Sequence, residues 1–198
     1  MQPISPKALQ LILQSEGLNQ PGIWPGGASG ITIGIGYDLG YTTIDRFESD
    51  WNKAIPGPTL LRLREVIGLT GIKAKNKAAQ LADIKIKRVE SEKVFTEKTI
   101  PQEQLRTQIA FPGLENLPAD AQGALVSLVY NRGASMIDSP GKDNRKEMRA
   151  IKAAVAKGDL KEIAKQLRSM KRLWEGKGLN GLIKRREDEA LLVEGSIA

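Results

Sequence analysis

Apolar positions recur every three or four residues along most of this chain, and the pattern is broken by clusters of Gly and Pro. Pro6 to Ser15 places Leu9, Ile12 and Leu13 on one helical stripe, with Ser5 positioned to cap the helix and Pro6 suited to its first turn. Glu16-Gly17 fits the end of that helix. From Asn19 to Gly30 the chain is dense in Gly and Pro around Trp24, which predicts a loop. Ile31 to Tyr37 alternates Ile with Thr or Gly and predicts a strand. Asp38-Leu39-Gly40 is the expected turn and Tyr41 to Ile44 the second arm of a small hairpin. Short helices are expected over Thr43 to Asn52 and Thr59 to Ile67, on either side of the Ile55-Pro56-Gly57-Pro58 breaker.

Thr70 to Leu81 predicts a helix with a Lys-rich face. Ile84 to Arg88 is ambiguous, because alternating Ile and Lys also suits an edge strand before helical spacing resumes over Val89 to Phe95. A helix follows over Pro101 to Ile109. Ala119 to Tyr130 then carries Ala124, Leu125, Leu128 and Val129 on one side and ends at Asn131-Arg132-Gly133. Ser135 to Arg145 is polar loop. Lys146 to Ala156 and Leu160 to Arg168 form a helix pair broken at Gly158-Asp159, and Leu182 to Val193 closes the pattern. No internal repeat or heptad pattern is present. The fold class expected is α+β and mainly α: one domain over residues 1–198, with a small β-containing lobe at about 17–60 and a helical lobe in the remainder.

Composition narrows the chemistry mainly by what is missing. The 198 residues include no His and no Cys, which excludes Ser-His-Asp and Cys-His nucleophiles and zinc sites built on imidazole or thiolate. An enzyme of this composition works with Asp, Glu, Lys, Tyr, Ser or Thr. Lys and Arg number 30 against 23 Asp and Glu, a formal net charge of +7. That balance favours a polyanionic partner such as nucleic acid, an anionic membrane surface or a bacterial wall, and is equally that of an ordinary basic protein. No apolar run approaches the roughly 18 residues of a membrane span. The opening Met1-Gln2-Pro3-Ile4-Ser5-Pro6 does not read as a secretory signal.

Glu16 is the first candidate for chemistry. The negative end of a helix dipole opposes ionisation, and cleavage of a glycosidic bond needs a general acid that holds its proton. A solvated Glu at a helix end is the plain alternative. Thr32 and Asp38, on or beside the hairpin, could hold and activate a water; as ordinary residues they are a β-favoured threonine and a turn-capping aspartate. Arg185 and Arg186 could orient Glu16, or could lie on a solvated helix face with Glu187 and Glu189. The run from Lys73 to Lys77 reads as a solvated face. Gly34-Ile35-Gly36 is no phosphate cradle, because no helix follows it and no Lys-Ser/Thr is attached. Trp24, in its glycine-rich loop, could stack on a sugar ring or pack a core, as Trp51 and Trp174 could.

In order and spacing these elements resemble the phage-type lysozymes, endolysins that cut bacterial peptidoglycan. A helix ending in Glu-Gly precedes Thr-Ile-Gly-Ile-Gly, as at Thr32 to Gly36. The run Ala-Leu-x-Ser-Leu-x-Tyr-Asn-x-Gly matches Ala124 to Gly133, and a Trp followed by Gly-Leu-x-x-Arg-Arg-x-x-Glu matches Trp174 and Gly181 to Glu189. The similarity touches about half the chain. The stretch from about Thr43 to Pro118 matches poorly and is more similar to pesticin-like and secretion-spike muramidase domains, whose Gly-Tyr-Asp-Leu-Gly resembles Gly36 to Gly40.

The resemblance implies a two-lobed lysozyme-like fold and hydrolysis of the link between N-acetylmuramic acid and N-acetylglucosamine. Glu16 would be the general acid, Thr32 the residue that helps hold the water, and Arg185 or Arg186 the arginine that pairs with the acid. Trp24, Tyr37 and Asn131 would join the arginines in binding substrate. The family's aspartate should fall near Pro25 or Gly26, and neither can replace it. Either Asp38 takes that role or one carboxylate works with an ordered water. The partner expected is the peptidoglycan glycan strand rather than nucleic acid, met by a monomer that needs no cofactor or metal. It would act in the periplasm or at the wall of a target bacterium. A phage lysis, toxin or secretion system would deliver it, with a delivery module or an inhibitory immunity protein as further partners. The alternatives are an inactive wall-binding module and a hydrolase of another aminosugar polymer such as chitosan.

Overall fold

The computed structural model describes residues 3–197. The expectation that the opening is no secretory signal rests in part on residues 1 and 2, which lie outside the described residues. Among the described residues the chain is mainly helical with one two-stranded antiparallel sheet, an α+β fold that is mainly α. No helix among them is long and apolar enough to cross a membrane. The chain divides into two compact units. One contains the N-terminal helix to Ser15 and everything from Ile100; the other is Glu16–Thr99.

The first unit begins with α1 (Pro6–Ser15), capped by the Ser5 hydroxyl, which accepts from the Ala8 N–H at 3.1 Å. It continues with α6 (Ile100–Ala110), α7 (Ala119–Arg132), α8 (Lys146–Val155), α9 (Leu160–Ser169) and α10 (Asn180–Glu194). The apolar side expected on α7 is instead a wrap-around. Every residue from Gly123 to Val129 is buried, because α1, α6 and α10 all pack on this helix. Contact with α1 is tight at Gly123, where a β-carbon would stand 2.1 Å from the β-carbon of Ala8. The core joins Leu125, Leu128, Met148, Ile151, Ile163, Leu167 and Met170.

The second unit holds strands β1 (Thr32–Ile33) and β2 (Tyr37–Asp38) and helices α2 (Ile44–Trp51), α3 (Gly57–Arg64), α4 (Gly71–Ala78) and α5 (Arg88–Val94). Its core gathers Ile31, Ile33, Leu39, Phe47, Trp51, Leu63, Val66, Leu81, Ile86 and Val94. That shared core is why the unit runs to Thr99 rather than closing near residue 60. The hairpin also turns earlier than its alternation suggests. Gly34 and Gly36 adopt φ of +57° and +65°, left-handed values that a continuous strand cannot contain. The segment expected as one strand is therefore folded back on itself, and Leu39–Tyr41 is a 3-10 turn rather than the way into a second arm.

The ambiguous Ile84 to Arg88 stretch is not a strand, although Ile84 and Ile86 do point inwards. Its backbone partner is a side chain. The Gln20 amide accepts from the Ile86 N–H at 2.8 Å and donates to the Ile86 carbonyl at 2.9 Å. Between α5 and α6 a π turn, Phe95–Thr99, precedes Pro101. Proline has no N–H to continue an α-helical ladder, and a widened turn accommodates that loss.

Gly123→Ala is expected to destabilise the protein by about 1–3 kcal/mol through overpacking against Ala8. Urea unfolding would measure this, and combining it with Ala8→Gly in a double variant should recover part of the loss.

Candidate functional site

The hairpin register sets Thr32 directly opposite Asp38 and Ile33 opposite Tyr37. Opposed residues of an antiparallel pair share a face with β-carbons about 4.5–5.5 Å apart, so two of the three expected catalytic residues are brought together. Their surroundings differ. The Asp38 carboxylate accepts from the Gly40 N–H at 2.8 Å and from the Gly30 N–H at 3.1 Å, and it caps the 3-10 turn. A β-carbon at Gly30 would lie 2.4 Å from that carboxylate, so the chain is closed tightly around it. Asp38 thus performs the turn-capping role.

Thr32 is only 7% exposed, yet its hydroxyl makes no hydrogen bond among the described residues. Nor is that oxygen one of the sealed, unpartnered polar atoms of the structure. The small exposed area of Thr32 therefore includes its hydroxyl, and this polar atom is open to a water or a ligand.

Glu16 is half-buried and follows directly on the last residue of α1. Its carbonyl accepts from Arg88 at 3.4 Å, and Arg88 also donates to Glu92 at 2.7 Å. Three residues on, Asn19 forms a β-bridge to Gly34 through N–H···O bonds of 2.7 and 3.0 Å, reinforced by the Asn19 amide at 3.2 Å. The segment leaving Glu16 is therefore fastened to the turn of the hairpin that carries Thr32. Asn19, Gln20 and Arg88 hold this framework, and none is conspicuous in the sequence. The signal for Asn19 and Gln20 is that polar side chains in a Gly/Pro-rich loop must satisfy backbone groups that no ladder satisfies; Arg88 opens α5 and carries no such signal.

Tyr37 does not line a site. It is 8% exposed, its ring packs edge-on against Trp51 at 5.6 Å, and its hydroxyl donates to Asp50 at 3.0 Å. Burial, with the Asp50 charge adding to it, pushes the phenol up to about 12. A phenol that alternates inwards on the hairpin belongs to the core and is lost as a substrate contact. Trp24 is half-buried against the same core, with its indole N–H donated to the Ser29 carbonyl at 2.9 Å and Lys75 5.9 Å from its ring.

In the first unit Asn131 is exposed at the end of α7. Arg185 and Arg186 are not on a solvated face. Arg186 and Glu189 are both 0% exposed and Arg185 is 5%. One Glu189 oxygen accepts from Arg186 at 2.6 Å and from the Ser127 hydroxyl at 2.6 Å, with Arg185 at 3.5 Å. Ser127 in turn accepts from the Arg185 Nε at 3.1 Å. The Ala124–Gly133 and Gly181–Glu189 motifs therefore meet at this cluster. Burial raises the Glu189 carboxyl and lowers the Arg186 guanidinium, each against the pull of its partner. Arg186 is enclosed and cannot touch substrate, which corrects its place in the expected binding set. Among the described residues no Asp and Glu group is arranged to hold a metal ion.

Glu189→Ala is expected to cost about 3–5 kcal/mol, because it leaves a buried guanidinium without its counter-charge; denaturant unfolding would measure it. The Tyr37 phenol titrates near 12 folded and near 10 unfolded. Its contribution to stability is complete below pH 10 and is lost as pH rises towards 12. Melting curves at increasing pH should show a fall over that window that Tyr37→Phe lacks.

Residues 20–111, under half of the 198-residue chain, match the family model of a domain of unknown function, DUF8812. The match spans Trp24, Thr32, Tyr37 and Asp38 and begins after Glu16. No curated protein matches the chain.

Proposed function

We propose that this protein is a lysozyme-like peptidoglycan hydrolase, a muramidase of the phage-endolysin type, in which Glu16 is the general acid. The observation that carries the reading is the free hydroxyl of Thr32. On a strand whose other residue, Ile33, is in the core, the Thr32 oxygen has no hydrogen-bond partner among the described residues. A hydroxyl so held can orient the water that attacks once a carboxylic acid has protonated the departing oxygen. The reading also has the support of the fastening between the segment after Glu16 and the same hairpin. A net charge of +7 would favour encounter with an anionic wall.

In this reading Asp38 is a positioning residue. Its carboxylate holds the hairpin and so the Thr32 hydroxyl, and catalysis proceeds with one carboxylate and an ordered water. The engagement of Asp38 is also what favours the second reading, a wall-binding module without hydrolysis. Digestion of purified peptidoglycan separates the two, because only the hydrolase releases fragments with new reducing ends.

Glu16→Gln should abolish that release while leaving wall binding intact. Thr32→Val should reduce turnover by about 100-fold and shift stability by less than about 1 kcal/mol, since no protein hydrogen bond is lost. Asp38→Asn should lower stability by about 1 kcal/mol and turnover by less than about tenfold. A loss beyond about 100-fold would make Asp38 a general base.

A further inference from the structure

The unit that contains α7 to α10 has a cavity of about 440 Å³ lined by Arg132, Lys142, Asp143, Asn144, Arg172, Leu173, Trp174 and Lys177. Four cationic side chains face one carboxylate. Arg172 is engaged with Glu147 at 2.5 Å and with Asp143 at 3.5 Å. The uncompensated charge therefore rests on Arg132, Lys142 and Lys177.

Arg132 is held in the cavity wall by several contacts. Its guanidinium lies 4.9 Å from the Trp174 ring and donates to the Asn144 carbonyl at 2.6 Å. Its Nε is buried without a partner, and so is the Nη1 of Arg145, whose Nη2 donates to the Arg132 carbonyl at 2.9 Å. Burial, reinforced by the charges of Arg145 and Arg186, lowers the Arg132 guanidinium to about 10. It stays charged at neutral pH, in a place where positive charge is crowded.

The loop that completes the wall is built. The Asp138 carboxylate accepts from the Asn144 and Arg145 N–H groups at 2.8 and 2.6 Å and pairs with Arg149 at 2.9 Å. The Asn144 side chain ties back to Ser139 at 3.1 Å. Cations held together on a fixed frame, three of them without a carboxylate partner, lack an anion.

We infer that this cavity is a subsite for the carboxylates of the wall polymer, those of the peptide attached to its muramic acid. The inference rests on the hydrolase reading, since it names the charged part of the same substrate. Lys142 and Lys177, at the exposed rim, supply attraction. Arg132, fixed on Trp174, supplies direction. The ligand is recognised by its negative oxygens, so a neutral chain of N-acetylglucosamine lacks what the cavity reads.

The test is titration calorimetry on the Glu16→Gln variant, which separates binding from cleavage. The probe is a soluble disaccharide–peptide fragment of peptidoglycan, compared with neutral chitotetraose. Lys142→Glu with Lys177→Glu should weaken binding of the anionic fragment by about tenfold and leave chitotetraose unaffected. Lys157→Glu with Lys161→Glu makes the same change of net charge at exposed positions outside the cavity and should alter binding by less than about twofold. Equal losses in the two double variants, no loss in either, or binding of polyglycerol phosphate but not of the fragment would each overturn the subsite. None of these outcomes bears on whether the wild-type protein releases reducing ends, so the subsite and the hydrolase reading can fail independently.

Discussion

A carboxylate closed inside a turn holds the candidate site together. The sheet has only two residues in each strand, and an isolated two-stranded hairpin is marginally stable in water at best. Asp38 supplies what the ladder cannot, by accepting N–H bonds from Gly30 and Gly40 on either side of the hairpin. With that clamp in place β1 has one orientation, Ile31 and Ile33 enter the core, and Thr32 lies on the other face of the strand, 7% exposed. The Asn19–Gly34 bridge extends the constraint to the segment that begins at Glu16.

A different device organises the helical unit. Arg186, Glu189 and Ser127 place ionisable groups where burial disfavours their charge, and one Glu189 oxygen takes most of the available donors. Its other oxygen and the Arg186 Nε remain unpartnered. Such a cluster contributes little net stability over a well-packed apolar core. It does make the pairing of α7 with α10 specific, because any slip would strand a buried charge. Trp174 links the cluster to the basic cavity, with Arg186 at 5.8 Å and Arg132 at 4.9 Å from its ring. The charge enclosed behind the wall thus shapes the charge presented by it.

Local signals were sufficient for much of the architecture. Ser5 and Thr43 cap the helices they precede, and Gly133 ends α7, as their residue types suggest. The Lys-rich face of α4 is exposed while Ala74 and Ala78 face inwards. A hairpin was legible near Thr32, but its turn was misplaced, because alternating Ile and Gly satisfies the period of a strand equally well when the glycines reverse the chain.

The sequence by itself determined the helical framework, the presence of a glycine-built hairpin, the basic charge and the set of polar residues available for chemistry. These follow from interactions over a few residues, which composition and periodicity record. The tertiary structure alone decided which polar residues were free. Gln20 meets Ile86 across 66 positions and Ser127 meets Glu189 across 62. Tyr37, Asp38 and Arg186 are consumed by partners, while Thr32 keeps an open hydroxyl. Such pairings depend on long-range packing, where the cost of an unsatisfied buried group selects the partner, and no local pattern carries that information.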